Sequence, residues 1–522
     1  MEKVYVFNPS LGGEDTAERK VLFFHPASTP VSEQVNSVGL CEALTNFTRT
    51  FGPTSSSSEP LTLHTQQRRH VFFEAEAGIW FAVVSRNAAL PKSASRGSSA
   101  TTAEPAGAAP AEPSEEELQD STLHALLRRV YEGVQLACGQ LSLIAAERGW
   151  EGLRRLLAAV MRPYLQIMLS QGEDETARLD VLDTFDGMSF LPIDSLLYLK
   201  VQMALNQLLT HQPNVVHTAL FFEGQLVYSS LSRGGTQQLH RLVTKMMGGP
   251  ATKKPEPLPD LSRAADEEHL FALVHALRHS AKPSALPAGR FVCGAGDLLQ
   301  DDRSAVRVPL VHVEVRRRAG GETEPGPPEN RPGEPSMHLE KGEADLEAFR
   351  LVVFELQQSV VVMLLDDKPP LWSRPLWFQE VASLVVEELQ PVAALLAEQH
   401  SRLQAVDEPY RYVYLNQMNL AVKAAPPPKS RQQDTIGKLA LSHTVKVIMN
   451  RTRSDFLEGH VREVVLKLPS SSEGWFVGRI SNGRELYMLT DSKVASMSEV
   501  HQELQALRAR NFFNIFTTSF LD

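Results

Sequence analysis

The chain has 522 residues, more than one hydrophobic core ordinarily spans, so several domains are expected. At 43% hydrophobic and 22% charged residues it has the composition of a folded globular protein, not of a disordered or fibrous one. Its formal charge of −10, from 52 basic and 62 acidic side chains, argues against a bulk electrostatic grip on nucleic acid.

The first residues, Met1 to Phe7, read as a strand and lack the long apolar run of a signal peptide. A second strand follows at Lys20 to His25 after a Gly-Gly turn signal. Residues 32 to 51 carry helical spacing, with Val35, Val38, Cys41, Ala43, Leu44 and Phe47 expected on the buried face. Ser32 suits its N-cap and Gly52-Pro53 its stop. Strands are expected at 70–74 and 79–85, and helices at 119–147 and 151–170. The hairpin signal 216–230 and a helix at 237–247 open a second unit. Strands at 290–293, 307–315, 349–356 and 359–365 continue it, and a helix at 376–403 closes it. A third unit has strands at 411–415 and 420–423, a helix at 437–457, strands at 461–468, 474–480 and 485–489, and a last helix at 495–509. Sheet then helix recurs three times, which predicts an α/β (α+β) chain of antiparallel sheets, each backed by helices on one face. The domains are expected at 1–212, 213–408 and 409–522. Pro-, Ser-, Ala- and Glu-rich inserts are expected at about 90–117, 249–266, 316–346 and 424–434.

Chemical signatures are few. No GxxxxGK[ST] occurs: Gly437-Lys438 is followed by Leu439, and Gln432 holds the place of the leading Gly. Gly294-Ala295-Gly296 has no third Gly where a pyrophosphate would need it. Cys41, Cys138 and Cys293 form no CxxC pair, and few, scattered cysteines fit a reducing compartment. His275 and His279 lie one helical turn apart, near Glu268 and His269, a spacing shared by metal pairs and by solvated helix histidines. Asp180, Asp183 and Asp186 form one local run, which suits a cap or loop better than two carboxylates opposed across a cleft. No stretch of about 18 uncharged apolar residues is present. The reading is a cytosolic protein without conventional catalytic chemistry, metal or cofactor.

Several longer words are more specific. They are Val38-Gly39-Leu40-Cys41-Glu42-Ala43 with Phe47-Thr48-Arg49-Thr50-Phe51, then Leu63-His64-Thr65-Gln66 and Asp183-Thr184-Phe185-Asp186-Gly187-Met188. Tyr412 to Ala421, Arg484-Glu485-Leu486-Tyr487 and Asn511 to Phe516 complete the set. Taken in order along the chain, they resemble the CCZ family of vacuolar fusion proteins, subunits of the MON–CCZ complex. The family extends to related subunits acting in the biogenesis of other organelles. The inserts at about 90–117 and 316–346 are longer than the family pattern.

The resemblance implies three longin domains, each an antiparallel sheet flanked by helices. It also implies a heterodimer with a MON subunit that acts as a guanine nucleotide exchange factor for the late-endosomal Rab GTPase, and it allows a third regulatory subunit. The work would take place peripherally on late endosome and lysosome membranes, in endosome maturation, autophagy and fusion. A partner or GTPase surface is then expected on the first helix at Asn36, Gly39, Glu42, Asn46 and Arg49, positions whose plainer reading is a solvated helix face. Gly39, a single mid-helix glycine, costs about 1 kcal/mol relative to Ala and calls for a packing reason. Asn416, Asn419 and Trp475 read better as turn and core positions. Contact with phosphoinositide membranes is assigned to Lys253, Lys254, Arg316, Arg317 and Arg318, whose other reading is an exposed linker. The alternatives are a longin adaptor or tether that recruits a Rab without exchanging its nucleotide, and a related tri-longin subunit serving another organelle.

Overall fold

The computed structural model describes residues 2–51, 61–86, 113–169, 185–247, 270–271, 274, 289–293, 308–316, 344–367, 374–405, 411–424, 443–459, 461–468, 473–491 and 496–511. Its architecture is mixed α and β, built on three sheets dominated by antiparallel pairs. In the first, β1 (Lys3–Phe7), β2 (Val21–His25), β3 (Leu61–His64), β4 (Arg68–Glu76) and β5 (Ile79–Arg86) lie in the order β2-β1-β5-β4-β3. All five residues of β1 are buried because both faces of the sheet are covered. Tyr5 and Phe7 join Phe24, Phe72 and Trp80 beneath α1 (Val31–Phe51). Val4 and Val6 join Phe23, Phe73 and Phe81 against α2 (Pro113–Cys138) and α3 (Leu141–Leu169). The expectation of helices on one face is thus corrected to helices on both.

The same core continues through α2 and α3 into the second sheet. That sheet comprises β7 (Val215–Phe222), β8 (Gln225–Ser229), β9 (Arg290–Cys293), β10 (Leu310–Arg316), β11 (Ala344–Leu356) and β12 (Ser359–Asp366). A two-residue strand, β6 (Met188–Ser189), precedes it in the chain. Val311, Val313, Leu351, Val353 and Val362 face α2 and α3, with α5 (Arg233–Met247) on the same side. Their neighbours Val352, Phe354, Val361 and Met363 face α4 (Ser195–His211) and α6 (Pro375–Ala405). Such alternation within uninterrupted apolar runs marks a strand buried on both sides.

The third sheet runs β15-β16-β17-β13-β14-β6, from β13 (Arg411–Asn416), β14 (Ala421–Ala424), β15 (Glu463–Lys467), β16 (Glu473–Ser481) and β17 (Arg484–Asp491). α7 (His443–Leu457) covers one face through Val445, Met449 and Phe456, and α8 (Met497–Asn511) the other through Val500, Leu504 and Leu507.

The sheets exchange segments across the expected boundary at residue 212. Although it precedes that boundary, α4 packs on the second sheet, capped by Asp194, whose carboxylate accepts from the Leu197 amide at 2.7 Å. β6 pairs in parallel with β14 of the third sheet. The expected inserts fall mostly outside the described residues, but 113–117 open α2 and 344–346 open β11. A proline at the first helical position followed by acids is a helix start as much as a linker composition.

Polar contacts add to this shared core. Arg241 on α5 bonds both Glu132 on α2 and Asp186 in the turn before β6. Ser121 on α2 donates to Asn450 on α7 at 3.1 Å, and Arg233 to the Gln417 carbonyl at 3.2 Å.

Candidate functional site

α1 carries the expected partner surface, and its seating decides which side chains are available. Val38 and Cys41 are buried against the first sheet, with Ser37 and Thr45 beside them. Tyr5 Oη lies 3.1 Å from Cys41 Sγ, and burial, with the thiol beside it, pushes the phenol well above its ordinary pKa. Burial likewise lifts the Cys41 thiol to about 11, which leaves it neutral and inert. Two ion pairs fasten the helix at its sides: Lys3 to Glu33 at 2.5 Å and Lys20 to Glu42 at 2.7 Å.

Asn36, Gly39 and Asn46 are exposed, as a docking face requires. Glu42 is half-buried and held by Lys20. Arg49 lies in α1, but its side chain falls outside the description. The helix also exposes Leu40, Ala43 and Phe47, with Phe47 62% exposed. Two of these, Ala43 and Phe47, were expected in the core. They instead form a second stripe with Asn36, spaced 36, 40, 43, 47, the four-three-four rhythm of a helix-to-helix seam. Gly39 lies beside the stripe, and a Cβ there would meet nothing within 4 Å among the described residues.

A groove of about 560 Å³ lies beside the first half of this stripe, between α1 and the β3–β4 turn, lined by Lys3, Asn36, Leu40, Gln67, Arg68 and His70. Burial, then the charges of Arg68 and Lys3, lower the pKa of His70, so its ring stays neutral. Burial alone would raise the Glu2 carboxyl, but Arg86 and Arg68 together pull it below its usual range. The groove is therefore polar and charged at one wall and apolar at Leu40.

The other singled-out residues separate. Lys253, Lys254, Arg317, Arg318, Asp180, Asp183, Glu268, His269, His275 and His279 lie outside the described residues. Arg316 ends β10, paired with Ala344, its side chain outside the description. Asp186 is taken up by Arg241 and Arg129, a tie between distant segments. Asn416 and Asn419 accept from the amides two residues on, at 3.0 Å each, and so shape the β13–β14 turn. Trp475 packs at the edge of the core under α8. Among the described residues no group of three or more His, Cys, Asp and Glu side chains is placed to hold a metal ion. No helix among them is long and apolar enough to cross a membrane.

Comparison with known proteins supplies the remaining frame. Residues 1–139 match the model of the first longin domain of INTU, CCZ1 and HPS4, and residues 406–507 match that of the INTU longin-like domain 3. Over 99% of its length the chain is 28% identical to a vacuolar fusion protein CCZ1 homologue of Danio rerio, covering 95% of that protein. It is 27% identical to the Xenopus laevis CCZ1 homologue over 99% of the chain and 96% of the relative. Identity to the Dictyostelium discoideum CCZ1 homologue is 23%, over 97% and 95% respectively.

Proposed function

From its two longin-domain matches and its end-to-end similarity to CCZ1 homologues, we propose that the chain is one subunit of a heterodimeric guanine nucleotide exchange factor for the late-endosomal Rab GTPase. In this reading it serves vacuole or lysosome fusion; its relatives are named vacuolar fusion proteins. The observation that carries the reading is the end-to-end relation to CCZ1 homologues, joined to an exposed apolar seam on α1.

An exchange factor makes no bond. It binds the nucleotide-free GTPase more tightly than the nucleotide-bound form, and that difference expels GDP. Broad surfaces serve this better than any acid or base. A longin subunit of the MON type docks its own helix against Leu40, Ala43 and Phe47. The missing side chain at Gly39 lets the two helices approach closely, the packing reason a mid-helix glycine calls for. Asn36, Asn46 and the groove bounded by Lys3 and Arg68 flank that junction and offer polar contacts to the GTPase. The complex works peripherally on late endosome and lysosome membranes, with Lys253, Lys254 and Arg316 to Arg318 as the basic contributors. Each is worth about 1 kcal/mol near an anionic surface.

The test is release of fluorescent GDP from a panel of Rab GTPases, with this chain alone and with a co-expressed MON subunit. Acceleration for the late-endosomal Rab only, and only with both subunits, is the expected result. A stable heterodimer that binds one Rab and accelerates none would replace exchange with tethering.

A further inference from the structure

A second groove, also of about 560 Å³, lies along the edge of the first sheet, where β2 is the terminal strand. β2 pairs with β1 on one side, and no other described strand pairs with it on the other. Successive peptide groups of a strand point alternately to its two sides, so half of those in β2 face away from β1. The strand reads Val21-Leu22-Phe23-Phe24-His25 and carries none of the lysines or prolines within it that blunt an exposed edge. Its walls are the start of α1, at Val31 and Gln34, and α3, at Arg154, Ala158 and Arg162.

The charge in the groove is one-sided: Arg19, Arg154 and Arg162 line it against the single carboxylate of Glu18. Arg154 is already committed, donating to the Val21 carbonyl at 3.1 Å, to the Arg19 carbonyl, and to Glu151 at 3.1 Å. It shows that side chains of α3 reach the backbone at this edge. Arg19 is exposed and Arg162 half-exposed, and among the described residues neither side chain has a carboxylate partner. We propose that this groove binds an extended acidic peptide segment of another protein, which adds as a strand to β2 while its carboxylates meet Arg19 and Arg162. Five residues of strand span about 17 Å, which sets the length of the bound core. Backbone pairing supplies affinity, and the arginines select acidic side chains.

Random twelve-residue peptides displayed on phage, selected on the full chain and counter-selected on an Arg19→Glu/Arg162→Glu double variant, test this. The expected winners are acidic and poor in proline. Their synthetic copies bind the double variant about tenfold more weakly or worse, bind an Arg19→Lys/Arg162→Lys variant comparably, and slow hydrogen exchange at the outward amides of β2. A urea midpoint unchanged in the glutamate variant separates lost binding from lost folding; should that variant fail to fold, Arg19→Ala/Arg162→Ala takes its place. Failure to enrich arginine-dependent peptides overturns the proposal, as does binding that protects no β2 amide. Arginine-dependent binding to phosphatidylserine vesicles without such peptides would assign the groove to lipid instead.

Discussion

Gly133 and Gly39 are both helical, yet their surroundings give substitution opposite signs. A Cβ on Gly133 would lie 2.4 Å from the Tyr164 ring and hydroxyl. Tyr164 cannot withdraw, since it is buried, donates to the Arg129 carbonyl at 3.0 Å and packs 4.3 Å from the Phe271 ring. Gly133→Ala gains about 1 kcal/mol of helix propensity but overpacks a site where such changes cost about 1–3 kcal/mol. A lowered urea midpoint is expected. Gly39→Ala, with open space around it, should raise the midpoint of the isolated chain by up to about 1 kcal/mol and weaken partner association. His240 sets a pH dependence. Burial first, then Arg241, depress its pKa from 6.5 to about 4, and its Nε2 lies 3.2 Å from Ser189 Oγ. The unfolded chain takes up the proton near pH 6.5 and the folded chain does not until near pH 4. Stability is therefore full above that window and falls by up to about 3 kcal/mol as pH drops through it. His70 and His312 shift in the same direction and add to the effect. Urea titrations at about pH 7.5 and about pH 5 should show the loss, and His240→Gln should reduce it.

At the scale of elements, α1 separates what periodicity can and cannot say. The pattern locates the helix and the anchors Val38 and Cys41, but it assigns Ala43 and Phe47 to the same buried face. A stripe meant for the chain's own sheet and one meant for another chain have the same apolar character, because both must exclude water. Only the seating of the helix tells them apart. Leu40→Gln with Phe47→Gln should therefore change stability by no more than about 0.5 kcal/mol while abolishing GDP release by the co-expressed pair. Circular dichroism melts and the exchange assay read the two effects separately. The ion pair of Glu42 is illegible for a related reason: its partner Lys20 is 22 residues away and meets it only when the chain before β2 stacks on α1. The short strand 61–64 is illegible in the sequence because four residues hold too little pattern to read.

At the scale of the molecule, the three sheets share segments. α2 packs on both the first sheet and the second, and α3 packs on the first, within one continuous core. A fragment of residues 1–212 would strip α2 of the second sheet and leave Leu197, Val201 and Leu205 of α4 without the surface that covers them. It should aggregate or bind hydrophobic dyes where the full chain does not. A fragment that unfolds cooperatively and stays monomeric would show that the shared core is dispensable. Arg241 works at the same scale, since it bonds segments packed on all three sheets and gains its partners only on assembly. By itself the sequence determined the class of fold, the order of most strands and helices, and the relationship to CCZ-type proteins, because these are written in local periodicity and in words spread along the chain. Tertiary structure alone decided that helices cover both faces of each sheet, that 185–211 serve the second and third sheets, and which side of α1 meets its own sheet. Those outcomes depend on which distant surfaces meet, and burial against a distant surface leaves no mark in local spacing.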